Sequence, residues 1–357
     1  MRAIHQFVAG FSIGDAISNE ALAMQRIFRS WGHESEIFSE LKRILPDLRS
    51  QARDVSACHE TLKPDDVVLL HLSIGSVVND VFAELQCRKA ILYHNITPPE
   101  YFQGVQESIA HNLAKGRDQA KRLAHAATVV AADSRFNAQE LEQWGYRDVK
   151  VLPLVLELDR LRGKPNRAVL RKYKDGAANI LFVGRCVPNK RIEDLLNAFY
   201  YFRRYVEPDS RFIHVGSFAG TEQYHALLLT FARDLQLTNV DMVGAVRQDE
   251  LNAYYQSAAL FLCMSEHEGF CIPLIEAMVH DVPILACAAA AVPDTLDGAG
   301  VLFREKNFDA IAEMMGRLIK DQGLRAAVIE GQRARLARFE KRDLNGELRG
   351  LLAPVLG

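Results

Sequence analysis

Residues 260–278 read LFLCMSEHEGFCIPLIEAM and carry three local signals in order. Leu260 to Cys263 is a short apolar run, the pattern of a buried strand. Gly269 lets backbone approach a ligand closely, and Pro273 suits a first helical turn, where its missing N–H costs nothing. A strand, a turn and a helix start therefore follow one another, and the amides at such a helix start favour an anion such as a diphosphate. Glu268 and Glu276 flank the turn with seven residues between them. Either they accept from paired hydroxyls, as on a sugar or a ribose, or they only cap the turn and complement the helix dipole.

The same rhythm runs through the chain. Apolar runs predict strands at Ala3 to Val8, Glu34 to Phe38, Val67 to Leu72, Ala90 to His94, Thr128 to Ala131 and Val149 to Leu152. A second set is predicted at Ile180 to Val183, Phe212 to Val215, Val240 to Met242, Leu260 to Cys263, Ile284 to Ala286 and Gly300 to Phe303. Helix-period stretches separate them, as in Ile17 to Trp31, which Gly32 ends. That alternation predicts an α/β protein of two doubly wound parallel sheets. Leu154 to Gly176 is charged, with weak periodicity, and reads as a linker, with the hinge at 153–175. The predicted domains are 1–160 and 161–335, followed by a helical tail, 336–357, returning to the first domain. Open parallel sheets bind ligands where the strand order reverses, at the carboxyl ends of the strands.

The chain has 357 residues, enough for two domains. Its composition, 49% hydrophobic and 25% charged, excludes disordered and disulfide-scaffold classes. Lys+Arg 43 against Asp+Glu 45 leaves a net charge of -2, which argues against nucleic acid as a partner. Cys58, Cys87, Cys186, Cys263, Cys271 and Cys287 show no zinc spacing and read as buried free thiols. No export signal or membrane-length apolar run is visible, so a cytoplasmic location is expected. The cations Lys115, Arg117, Lys121 and Arg122 are close in sequence: a solvated face, or peripheral contact with the inner face of a membrane.

A second motif follows the strand Ile180 to Val183: Gly184-Arg185-Cys186-Val187-Pro188-Asn189-Lys190-Arg191. Arg185 offers a planar fork and Lys190 a mobile point charge, a pair suited to a departing diphosphate. Gly184-Arg185, Lys190 and the span from Glu268 to Glu276 together resemble the retaining glycosyltransferases of family 4, as do Val292-Pro293-Asp294 and Gly298 to Phe303. The resemblance covers nearly the whole chain. It implies the GT-B fold, two Rossmann-like domains facing each other across a cleft.

The resemblance further implies that Arg185 and Lys190 bind the donor diphosphate, Glu276 the ribose, and Glu268 the transferred sugar. Backbone from Gly269, Phe270, Cys271 and Ile272 lies nearby on that pattern, and the turn Val243 to Val246 contacts the base, with Val246 as a donor residue. In the first domain, the Gly10 to Ala16 loop places Gly14 near the diphosphate and acceptor, or the glycine only permits a tight turn, and Asp15, standing where the family often has a second glycine, is an acceptor candidate. His94 corresponds to a catalytic cleft histidine that orients the sugar or supports the acceptor, the alternative being a satisfied histidine at the sheet edge, while Ser134 and Arg135 correspond to acceptor positions, Ser134 being equally an N-cap. The implied reaction is a front-face displacement with retention, moving a mannose- or glucose-type sugar from a nucleotide donor to a glycan or lipid-linked acceptor. No metal or other cofactor is expected. Bacterial surface polysaccharide synthesis is the expected setting, and the alternative is a catalytically silent subunit that binds nucleotide sugars.

Overall fold

A computed structural model describes residues 2–12 and 14–357 and divides the chain into two units. The first comprises the chain up to Gln103, then Glu107–Leu156 and Asp343–Gly357. The second comprises Gly104–Gln106 and Glu157–Arg342.

Among the described residues the first unit holds a seven-stranded parallel sheet in the order β3-β2-β1-β4-β5-β6-β7. Its strands are β1 (Ile4–Val8), β2 (Ile37–Ser39), β3 (Arg53–Asp54), β4 (Val67–Leu72), β5 (Arg88–Tyr93), β6 (Val129–Ala132) and β7 (Lys150–Val151). β1 and β4 are buried along their whole lengths, as strands covered by helices on both faces must be. β3 is too short for an apolar pattern and was not legible in the sequence.

The second unit repeats the architecture with six strands in the order β10-β9-β8-β11-β12-β13. These are β8 (Ala178–Val183), β9 (Ser210–Val215), β10 (Val240–Gly244), β11 (Leu260–Cys263), β12 (Ile284–Cys287) and β13 (Val301–Phe303). In both sheets the order reverses once, between β1 and β4 in the first and between β8 and β11 in the second.

The segment read as a linker is partly helical. Leu158–Leu161 and Arg167–Tyr173 form short helices that belong to the second unit. Asn166 caps the latter, its Oδ1 accepting from Ala168 N and Val169 N at 3.0 and 3.3 Å, and Tyr173 is buried at its end. Weak periodicity hid a helix held by one cap and one aromatic anchor.

The C-terminal segment divides. The helix Gln322–Glu340 stays with the second unit, whereas Leu344–Leu356 joins the core of the first. Leu348, Leu352 and Val355, spaced i, i+4 and i+7, pack with Met24, Phe28, Leu69 and Leu92. Arg2 Nη1 donates to the carbonyls of Leu356 and Gly357 at 2.5 and 2.7 Å, which satisfies a helix end that would otherwise leave acceptors open.

One backbone crossing sets the geometry of the second unit's strand ends. A Cβ at Gly216 would fall 1.8 Å from the Gly184 carbonyl oxygen, so only glycine fits there. Gly216→Ala should lower the urea midpoint of the second unit, costing about 1 to 3 kcal/mol. Gly331→Ala, in the helix Gln322–Glu340 with nothing within 4 Å of its added Cβ, should instead gain about 0.5 to 1 kcal/mol. Equal effects of the two substitutions on the midpoint would refute the crossing as a constraint.

Candidate active site

The reversal in the second sheet puts β8 and β11 side by side, with Ile180 paired to Leu260 and Leu181 to Phe261. The turns that leave these strands, more than 70 residues apart in sequence, are therefore neighbours. Asn189 ties them together: its Nδ2 donates to the His267 carbonyl at 2.9 Å and its own carbonyl accepts from Glu266 N at 2.9 Å.

The turn after β8 is braced from below. His214 Nε2 donates to the Gly184 carbonyl at 2.8 Å, and the ring stacks on Phe182 with centroids 5.8 Å apart. Burial lowers the His214 pKa to about 4, so the ring stays neutral. Cys186 N donates to the Ser217 carbonyl at 2.9 Å, and Thr221 Oγ1 donates to the Cys186 carbonyl at 2.6 Å.

The three cations of this turn have different surroundings. Arg191 faces Glu193, Asp194 and Glu266 at 2.9, 3.1 and 3.3 Å. Lys190 Nζ lies 2.5 Å from Glu268 Oε2. Burial disfavours that ammonium, but the Glu268 carboxylate outweighs burial and raises its pKa. Arg185 is exposed and makes no ion pair or side-chain hydrogen bond to any described residue. A fixed cation–anion pair thus stands beside an unpaired guanidinium.

Around Glu268 the chain is tightly held. Glu268 is buried, its carbonyl accepts from Ala291 N at 3.3 Å, and the Phe270 carbonyl accepts from Thr295 Oγ1. Cys271, at φ 71, turns the chain into the helix Ile272–Val279, with Pro273 in its first turn. Pro273 carries no N–H, and Leu274 N donates to the Cys271 carbonyl at 3.1 Å. Cys263, Glu268 and Cys271 bring their sulfurs and carboxylate within 4.8 Å of one another. A metal ion at those atoms would compete with Lys190 for Glu268. The hydrogen bond to Cys263, with burial, holds Cys271 well above the usual thiol range and so as the thiol.

Glu276 lies one turn further on and is half-buried. Its Oε2 accepts from the Tyr255 hydroxyl at 2.7 Å, which also lies 3.2 Å from the Pro273 carbonyl. Burial raises the carboxyl pKa, while the Tyr255 hydrogen bond pulls it back. Glu276 has no cationic partner among the described residues. Val246 lies half-buried after β10, whose Gly244 carbonyl accepts from Gly216 N at 2.9 Å.

In the first unit Gly14 is exposed at φ 77, and Ile13 of the same loop lies outside the described residues. Asp15 caps the helix Ala16–Ser30, accepting from Ser18 N and Ser18 Oγ at 2.8 Å each. Ser134 caps Arg135–Gln143, accepting from Asn137 N at 3.2 Å, while Arg135 is exposed. His94, just past β5, is buried in a group that sequence reading did not assemble: Gln6, Glu20, His71 and Asp133. Of the cations near Lys115, Arg117 turns inward to Glu140 at 2.9 Å and stacks on Trp144, and Lys115 and Arg122 lie 3.6 and 3.8 Å from Asp80. No helix among the described residues is long and apolar enough to cross a membrane.

Comparison with known proteins addresses both levels of this architecture. Residues 166–335 match the family described as glycosyl transferases group 1. The O-antigen chain mannosyltransferase B of Escherichia coli is 27% identical over 161 residues, a match that spans 44% of this chain and 41% of that relative's length. Among solved structures, HepE of Anabaena, in complex with UDP and glucose, superposes with a TM-score of 0.74 at 17% identity over 99% of both chains. Sucrose-phosphate synthase of Thermosynechococcus elongatus superposes with a TM-score of 0.75 at 16% identity, again over 99% of both. Residues 166–335 thus resemble the glycosyl transferases group 1 family, in a chain that has the GT-B fold.

Proposed function

We propose that this protein is a retaining glycosyltransferase of family 4 that moves a mannose- or glucose-type sugar from a nucleotide diphosphate donor to a hydroxyl of a glycan or lipid-linked acceptor. The observation that carries this reading is the meeting of an unpaired Arg185, the Lys190–Glu268 pair and a helix start at one strand-order reversal. A diphosphate fits the guanidinium fork and the ammonium, and hydroxyl-rich rings fit the carboxylates. The mannosyltransferase relative and the UDP and glucose bound to HepE point to the same donor class.

In the proposed transfer, Arg185 and Lys190 stabilise the departing diphosphate as its charge develops, and Glu268 orients the sugar. The leaving phosphate accepts the acceptor's proton, so no protein nucleophile and no metal are required. Bacterial surface polysaccharide synthesis is the setting we propose. Nucleotide release from a panel of UDP- and GDP-sugars tests the reading. Binding with no turnover for any donor and acceptor pair would leave a silent sugar-nucleotide-binding subunit instead.

Three substitutions separate catalysis from folding. Arg185→Ala removes an exposed, unpaired side chain, so stability should stay within about 0.5 kcal/mol. Turnover should nevertheless fall about 100- to 1000-fold. Lys190→Ala should cost a comparable factor and also lower the melting midpoint, because it leaves the buried Glu268 carboxylate unpaired. Adding Glu268→Gln should restore the midpoint without restoring turnover. A variant at Arg185 with full activity would overturn the diphosphate assignment.

Glu276 gives the pH-dependent case. Its raised pKa means that the folded state holds this proton more tightly than the unfolded chain, so stability falls as pH rises above the ordinary carboxylate value. Glu276→Gln should therefore raise the melting midpoint at pH 7, with the gain vanishing toward pH 4. Loss of a carboxylate that accepts from ribose hydroxyls should weaken nucleotide binding about tenfold or more. Calorimetric titration with the nucleotide checks the second half, and unchanged affinity would remove the ribose role.

A further inference from the structure

The hydrogen bonds at the carboxyl ends of β1, β4 and β5 can be given directions from one end. Gln6 Nε2 donates to the Ala21 carbonyl at 2.9 Å, which turns Gln6 Oε1 toward His71 Nε2 at 3.0 Å. An amide oxygen only accepts, so His71 carries its proton on Nε2. His71 Nδ1 then meets His94 Nε2 at 3.0 Å. The rings are parallel to within 4° with centroids 5.2 Å apart, so these nitrogens meet edge to edge, as an N–H···N bond requires. The arrangement is that of a hydrogen bond, with the lone pairs too nearly opposed to converge on a metal ion.

The far side of His94 closes the argument. Its Nδ1 faces Asp133 Oδ2 at 3.6 Å, and Asp133 is held in place by Asn137 Nδ2. If His94 donates from Nε2 and is neutral, it aims a bare lone pair at a carboxylate. The geometry is satisfied when the histidine pair carries one extra proton. That charge centres on His94, because Glu20 Oε2 is 3.5 Å from His94 Nε2 and 3.9 Å from His71 Nδ1. The titratable groups facing His94 are Glu20 from the helix Ala16–Ser30, Asp15 at its N-cap, Asp133 just past β6 and His71 from β4, while β1 presents the neutral Gln6.

We infer that His94 is held as a doubly protonated cation by this fixed relay, with Gln6, Glu20, His71 and Asp133 as its positioning residues, and that the transfer proposed above needs His94 in that charge state. The second clause rests on the transferase reading, whereas the first does not. Burial opposes the charge on His94, but Glu20, Asp133 and Asp15 raise its pKa above the ordinary histidine value. Burial and the neighbouring His94 push His71 well below it. Glu20 Oε1 also accepts from Val155 N at 2.9 Å, just before the chain leaves this unit at Leu156. The carboxylate beside the cation therefore also holds the end of the unit.

Nitrogen-15 NMR of the full chain with labelled histidine reads the charge directly. The resonances assigned to His94, by their loss in His94→Gln, should show both ring nitrogens protonated at pH 7. Asp133→Asn keeps the shape and removes one counter-charge, and should move the midpoint of that titration about one to three pH units lower. The alkaline limb of kcat should move with it, lowering kcat above that limb about tenfold or more while KM stays nearly constant. A bare Nδ1 at pH 7, which would put the proton on Asp133, overturns the inference. An alkaline limb that stays in place while the NMR midpoint moves overturns the catalytic clause. If wild type turns over no nucleotide sugar, the transferase reading and that clause fall together, and the NMR result still decides the charge.

Discussion

The adjacency of β8 and β11 is the constraint on which the proposed site rests. Parallel sheets built from strand–helix–strand units grow outward from a first strand, and the next pair must start on that strand's other side. Because β9 and β10 grow one way from β8 and β11 to β13 the other, the turns after β8 and β11 diverge from the sheet beside each other. A cation delivered by the first turn and a carboxylate delivered by the second then meet without any long loop. The Lys190–Glu268 pair is the chemical product of that topology. The backbone crossing of Gly184 and Gly216 and the His214 hydrogen bond keep the first turn from relaxing away.

A buried ion pair is a weak source of stability, since desolvation offsets most of its attraction. In the proposed transfer the pair prepares the site. With Glu268 and Lys190 fixed against each other, neither has to be oriented when a ligand arrives, and each can exchange part of its mutual bond for a ligand hydroxyl or phosphate. Glu276, the proposed ribose ligand, is likewise unfavourable to folding. It is a carboxylate kept partly out of water with only a tyrosine hydroxyl to accept from, so burial works against its charge.

What the sequence revealed and what it hid follow the range of the interactions. The two motifs were legible because each is local: a strand, a glycine and charged side chains within a dozen residues. Most strands were legible for the same reason, and β3, at two residues, was not. The supports under the site are different. His214 sits in a strand whose only visible feature is its apolar pattern, and its partner is a backbone carbonyl 30 residues away. Glu20 did leave a trace, since it lies at i relative to Met24 and Phe28 on a buried helix stripe, where an acid is out of place. Its partners, His71, His94 and Val155, lie 51, 74 and 135 residues further along, so no spacing rule could join them.

The two strand-order reversals, built alike, are electrostatically unlike. At β1 and β4 the amide of Gln6 and the imidazoles of His71 and His94 are hydrogen-bonded in sequence, and the Asp133 carboxylate lies 3.6 Å from His94 Nδ1, with nearly every member buried. At β8 and β11 the bonding is incomplete, because among the described residues Arg185 has no anion and Glu276 no cation. A buried network stores charge at a defined place and changes it only by gaining or losing a proton. An open one is completed by a ligand carrying the missing charges. In the proposed function the anionic donor is accordingly captured at the second unit's reversal, and the inferred charge state gives the first unit's reversal a histidine of fixed protonation and orientation.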